Sequence, residues 1–177
     1  MTSINVPKYK EVSPANQAIF DNLKSKLGFV PNLYAMLAHS EHALTNYLAF
    51  QNGKSSIVGK AREVVDLVVS QVNCSEYCLA AHTVISKSIG LTDEQIIEIR
   101  GGTASFDPKL DALARLVRDV VVSRGHVDAT IVNAFYAAGW TKENLIDAIL
   151  VIGDRTVTTY LDAVTHAPVD FPAAPTL

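Results

Sequence analysis

Residues Ala61 to His82 read AREVVDLVVSQVNCSEYCLAAH, an apolar run, a break, and a second apolar run carrying two thiols and an imidazole. Val64, Val65, Leu67, Val68, Val69 and Val72 are β-branched or leucine, so a buried strand competes with a helix for the first run. Arg62, Glu63, Asp66, Ser70 and Gln71 interrupt it at three- and four-residue steps, and it outlasts a usual strand. The pattern therefore predicts a helix over Val58–Val72, a break at Asn73 and a second helix over Ser75–Ser88 that stops at Gly90.

Outward from this pair the punctuation is also helical. Ser13-Pro14 supplies an N-cap and an N1 proline for a helix up to Gly28, a second helix follows Val30-Pro31, and a third follows Ser40 as far as Gly53. Thr92-Asp93-Glu94-Gln95 is a capping-box pattern for a short helix ending at Gly101-Gly102. Asp107-Pro108, Asp128 and Thr141 open three more, the last running to about Thr165. Gly90–Ile97 and Gly139–Ile146 look alike, a hint of a duplicated helical unit. The tail from Ala167, with Pro168, Pro172 and Pro175, cannot continue a helix and either packs extended or frays. These elements define an all-α chain, read as one domain over 1–177 with its motif core at about 56–102.

Composition bounds the function. At 177 residues and 49% hydrophobic, one domain buries roughly 70% of its unfolded surface and needs no disulfide framework or structural metal. Cys74 and Cys78 are thus available for chemistry. The net charge of −3 is spread without a basic run, which excludes a nucleic-acid footprint. Met1 to Val12 holds no apolar leader core, and no run approaches the ~18 apolar residues of a membrane span. The expectation is a soluble cytoplasmic protein without a membrane partner, in whose reducing compartment such cysteines are catalytic, redox-cycling or metal-binding.

Cys78 and His82 lie one helical turn apart, close enough for proton transfer, and an imidazole together with a helix N-terminus favours thiolate. The competing reading makes both cysteines small core residues and His82 a satisfied core histidine. Glu63 alone is weak, and Asp66 competes with it for the same role. A metal site is disfavoured because Cys74 and His82 are separated by about 12 Å of helical rise, and His39, His42, His126 and His166 show no ligand spacing. No metal and no cofactor is expected.

Val69–Thr83, with Gly28–Tyr34 and Tyr160–Asp170, resembles the AhpD-like alkylhydroperoxidases of the carboxymuconolactone decarboxylase superfamily, in its peroxidase-related branch. The resemblance covers most of the chain and implies a multi-helix orthogonal bundle acting as a homo-oligomer, a dimer, trimer or hexamer. It also implies a thiol peroxidase acting on organic hydroperoxides or hydrogen peroxide, recycled by an external thiol reductant. Carried over by position, Cys78 attacks the peroxide, Cys74 resolves, His82 relays protons and Glu63 orients it. Tyr77 falls where some members place a further relay side chain, although a packing aromatic is as good a reading. Where the family has Gly-Cys, this chain has Cys74-Ser75. The dithiol is therefore C-x-x-x-C, and its closure requires Cys74 to leave helical geometry. A cofactor-free lactone decarboxylase-like lyase and a non-catalytic redox-sensing oligomer are the alternatives.

Overall fold

Ser13, Thr92, Asp107, Asp128 and Thr141 each cap a helix, whereas the helix expected after Ser40 begins at Ala43 behind His42, which makes no side-chain cap. Ser13 Oγ accepts from the Asn16 N–H at 3.3 Å, Asp107 from Lys109 and Leu110, and Asp128 from Thr130. Thr92 and Thr141 complete capping boxes with Gln95 and Asn144. A computed structural model describes residues 4–177, and among these it forms helices and no strand. The helices are α1 (Pro14–Leu27), α2 (Asn32–Leu37), α3 (Ala43–Gln51), α4 (Lys60–Val72), α5 (Glu76–Ser88), α6 (Asp93–Arg100), α7 (Pro108–Ser123), α8 (Ala129–Ala137) and α9 (Lys142–Thr165), with a 3-10 turn at Tyr9–Glu11. Met1 to Ser3 of the segment read for a leader lie outside the described residues.

The valine-rich run is helical, and its composition has a packing cause. Every residue from Glu63 to Ser70 is buried because α4 is enclosed by α5, α6, α7 and α9. Its polar stripe, Glu63, Asp66 and Ser70, is buried along with its apolar face, so those side chains find partners inside the fold. It begins at Lys60 rather than Val58, after Gly59 takes φ 57° and ψ −133°, a conformation that favours glycine. The main core joins α4, α6 and α7 with Phe135 of α8 and Ala148, Val151 and Ile152 of α9. Smaller clusters lie under α1–α3 and between α2, α5 and the C-terminal tail.

That tail packs extended. Asp170 accepts from the Asn32 backbone N–H at 2.8 Å and from the Tyr77 hydroxyl at 2.6 Å, while Asn32 Nδ2 donates to Pro168 O at 2.9 Å. Asn32 is the first residue of α2, so the carboxylate also neutralises a helix N-terminus. The two look-alike segments share a left-handed glycine and a capping box, but α6 has 8 residues and α9 has 24, so the likeness is confined to the turn. Among the described residues no helix is long and apolar enough to cross a membrane.

Asn73, Cys74 and Ser75 form a Schellman closure of α4. The Ser75 N–H donates to Ser70 O at 3.0 Å and the Cys74 N–H to Gln71 O at 3.1 Å, with Cys74 at φ 54°. This left-handed position is normally glycine. Replacing Cys74→Gly should stabilise the protein by about 1 kcal/mol by removing the Cβ penalty, read as a higher denaturation midpoint in urea; an unchanged or lower midpoint contradicts this.

Candidate active site

The turn that ends α4 also starts α5. Ser75 is its N-cap, with Oγ accepting from the Cys78 N–H at 3.2 Å and donating to Asp162 on α9 at 2.6 Å. Cys78 thus sits in the first turn of α5, where backbone N–H groups favour an anion. It is 1% exposed, whereas Cys74 is exposed with its Sγ 3.9 Å from Val72 O, and both thiols are free. Cys74 has left helical geometry, as closure requires, but it stands on the outside of the turn. Ser75 holds the inward N-cap position.

One turn on, His82 is buried. Its Nδ1 lies 2.8 Å from Glu63 Oε2 and 3.6 Å from Asp66 Oδ2, and Ser86 Oγ donates to the same Glu63 oxygen at 3.3 Å. Glu63 therefore fixes the ring through one nitrogen and leaves Nε2 for proton exchange. Glu63 and Asp66, spaced three apart on α4, meet His82 together. The competition between them is resolved by partners: Asp66 is taken up by arginines. Its Oδ1 accepts from Arg155 Nε at 2.9 Å and its Oδ2 from Arg62 Nε at 3.2 Å, and Arg62 also pairs with Asp154.

These charges set the ionisation of the cluster. Burial acts to raise the Asp66 pKa, but Arg155, His82 and Arg62 outweigh it and hold the carboxyl below its usual range. For Arg155, burial acts to lower the pKa, and Asp66, Tyr47, Cys78 and Asp154 more than reverse that. Glu63, Asp66 and His82 bring three potential metal-donor atoms within 4.8 Å of one another. Both Asp66 oxygens are engaged by guanidinium groups, so protein cations fill the role that a metal would take there.

Cys78, His82 and Arg155 line one cavity of about 380 Å³. Its walls are mainly apolar, from Leu33 and the aromatic rings of Phe29, Tyr77 and Phe171. Tyr77 is also in place, but its hydroxyl is committed to Asp170 and to the Leu33 N–H at 3.2 Å. Burial first, then the Asp170 hydrogen bond, push its phenol upward in pKa. Sequence reasoning missed Arg155, Thr158 and Asp170. They lie about 80–90 residues from the motif, and the only local signal is a charge pair, Asp154-Arg155, inside a helix otherwise rich in apolar residues.

Residues 38–119 match the model of the Carboxymuconolactone decarboxylase family. The matched segment spans α3 to α6 and most of α7 and includes Glu63, Cys78 and His82. Its fold is similar to that of an uncharacterised peroxidase-related protein with an alkylhydroperoxidase AhpD core from Ralstonia eutropha JMP134, with TM-score 0.85 and 18% identity over 95% of this chain and 92% of that one. A peroxidase-related protein from Silicibacter sp. TM1040 is similar at TM-score 0.82 and 20% identity, over 94% and 91%. The debrominase Bmp8, solved as a cysteine-to-alanine form with 2,3,4-tribromopyrrole, matches at TM-score 0.76 and 14% identity, over 95% and 94%. Among curated proteins none matches the chain. The shared fold thus surrounds a cavity into which this chain places Cys78 and His82.

The arginine clamp has a pH signature. Asp66→Asn should cost roughly 3–5 kcal/mol at pH 7, because it leaves the buried Arg155 guanidinium without its counter-charge. A carboxylate with a depressed folded-state pKa adds stability above its unfolded value of about 4, and loses it as pH falls through the folded value. The gap between native protein and variant should therefore narrow in urea titrations below about pH 4. A gap independent of pH contradicts the assignment.

Proposed function

We propose that the protein is a thiol-dependent peroxidase with Cys78 as the attacking thiolate. The observation that supports this best is the buried Cys78–His82 pair on one turn of α5, with the ring anchored by Glu63 and both side chains facing one cavity. The Cys78 sulfur attacks the terminal peroxide oxygen, the O–O bond breaks, and the leaving alkoxide takes a proton from His82. The sulfur becomes a sulfenic acid. A second thiol then displaces water to give a disulfide, which an external dithiol reduces with two electrons.

Cys74 is the resolving thiol in this scheme, and its outward position makes a local opening of the Asn73–Ser75 turn part of the cycle. Ser75 supplies a comparison, since its side chain already lies beside the Cys78 amide. Cys78→Ser should abolish dithiol-dependent consumption of cumene hydroperoxide, and His82→Gln should lower it by about 10²-fold or more. Equal turnover in Cys78→Ser contradicts the reading. Cys74→Ser combined with Ser75→Cys should keep turnover and join the introduced thiol to Cys78 as a disulfide without opening of the turn; no such disulfide on non-reducing peptide maps contradicts that geometry.

We also propose that copies of the chain assemble through α9. Ile146, Leu150, Gly153, Val157, Tyr160 and Val164 recur at alternating four- and three-residue steps and all are exposed, with Val164 74% accessible. This is a coiled-coil seam on one helix, and a like seam from a second copy complements it. A Cβ on Gly153 would meet nothing within 4 Å, so the helix offers a second backbone a close approach at mid-seam. Val157→Glu should shift the mass by light scattering to that of a monomer at micromolar concentration; an unchanged mass contradicts this interface.

A further inference from the structure

The cavity is larger and more apolar than peroxide chemistry requires. Hydrogen peroxide needs about the room of one or two waters, roughly 30–60 Å³, against about 380 Å³ here. That volume falls within the range of small organic ligands. Exposed Leu27, Val84 and Ile85 extend the apolar lining at the mouth.

At the inner end the lining changes character. Arg155 is 4% exposed, so its guanidinium sits inside the fold rather than in water. Its Nε donates to Asp66 at 2.9 Å and its Nη1 to Thr158 Oγ1 at 3.0 Å. Among the described residues no hydrogen bond takes up Nη2, and Arg155 belongs to the cavity wall. Asp154 pairs with Arg62 through Oδ2 and keeps its buried Oδ1 without a hydrogen bond, and Tyr34 donates to Gln51 at 2.7 Å, so neither neighbour hydrogen-bonds Nη2. A buried guanidinium donor without an acceptor is satisfied best by an anion.

We propose that Arg155 is a specificity-determining residue, and that the cavity takes an amphipathic organic acid whose apolar body lies among Phe29, Leu33 and Phe171 and whose anionic head pairs with the free guanidinium edge. Resting on the peroxidase reading, this names the substrate class as acid-bearing organic hydroperoxides. Neutral hydroperoxides and hydrogen peroxide are then poorer substrates.

The test is binding, with no peroxide present. Equilibrium dialysis of the native protein at pH 7.5 compares octanoate with its neutral isostere octanamide, and octanoate should bind at least tenfold tighter. Because Arg155 also holds Asp66, the two are exchanged together as Asp66→Asn with Arg155→Gln, and folding is checked by circular dichroism. That variant should bring the two ligands within twofold of one another. Ala81→Trp, at a half-buried lining position, is the second variant and should weaken both ligands at least tenfold by filling the cavity. Equal binding of the two ligands by the native protein overturns the inference, as does a preference that survives the double exchange or binding that ignores Ala81→Trp. Acid selectivity without hydroperoxide turnover contradicts the peroxidase reading alone. Turnover of hydroperoxides without acid selectivity contradicts this inference alone.

Discussion

The Asp66 carboxylate lies in the middle of the molecule with a guanidinium on each oxygen, Arg155 at 2.9 Å and Arg62 at 3.2 Å, and the His82 ring on its open side. Its 89-residue reach to Arg155 fastens α9 to the central helix α4. The same contact fixes the inner wall of the cavity. Buried charges are tolerated only when paired, and here Arg62 and Arg155 face Asp66 and Asp154, while Glu63 holds the His82 ring. Removing any one member leaves another without its counter-charge, so the cluster stands or falls as a unit. Because the arginines occupy Asp66, Glu63 alone anchors the imidazole.

The two cysteines are separated by the same turn that joins α4 to α5. Closing α4 needs a left-handed residue, and Cys74 supplies it at a steric cost that glycine would avoid. Opening α5 needs an N-cap, and Ser75 supplies that. Backbone geometry therefore sends Cys74 out to solvent and keeps Cys78 in, at the positive end of a helix and within the cavity. The extended tail completes the enclosure: Asp170 ties Tyr77 to the start of α2, and Phe171 packs edge-on against Tyr77 with centroids 5.7 Å apart.

Local signals in the sequence announced local structure. Ser13, Thr92, Asp107, Asp128 and Thr141 mark helix starts because a cap acts within three residues, and all of them form the predicted contacts. The valine run is ambiguous in sequence because β-branched residues fill its apolar face, while Glu63, Asp66 and Ser70 keep the helical step although they are buried. Cys78, His82 and Glu63 were legible from their spacing and their resemblance to a known family. Arg155 and Asp170 were not, since each acts across a gap of about ninety residues that no local pattern encodes. Tyr77 reads in sequence as a relay or a packing residue, and the fold gives its hydroxyl a tethering contact that only the placement of the tail reveals.

In the proposed mechanism Cys78, rather than the more accessible Cys74, is the thiol that meets peroxide. Treating the reduced protein with one equivalent of cumene hydroperoxide in the presence of dimedone, then mapping peptides by mass spectrometry, tests this directly. The predicted result is a dimedone adduct on Cys78 that forms within seconds and is strongly reduced in His82→Gln. An adduct on Cys74 alone, or none on either cysteine, would contradict it.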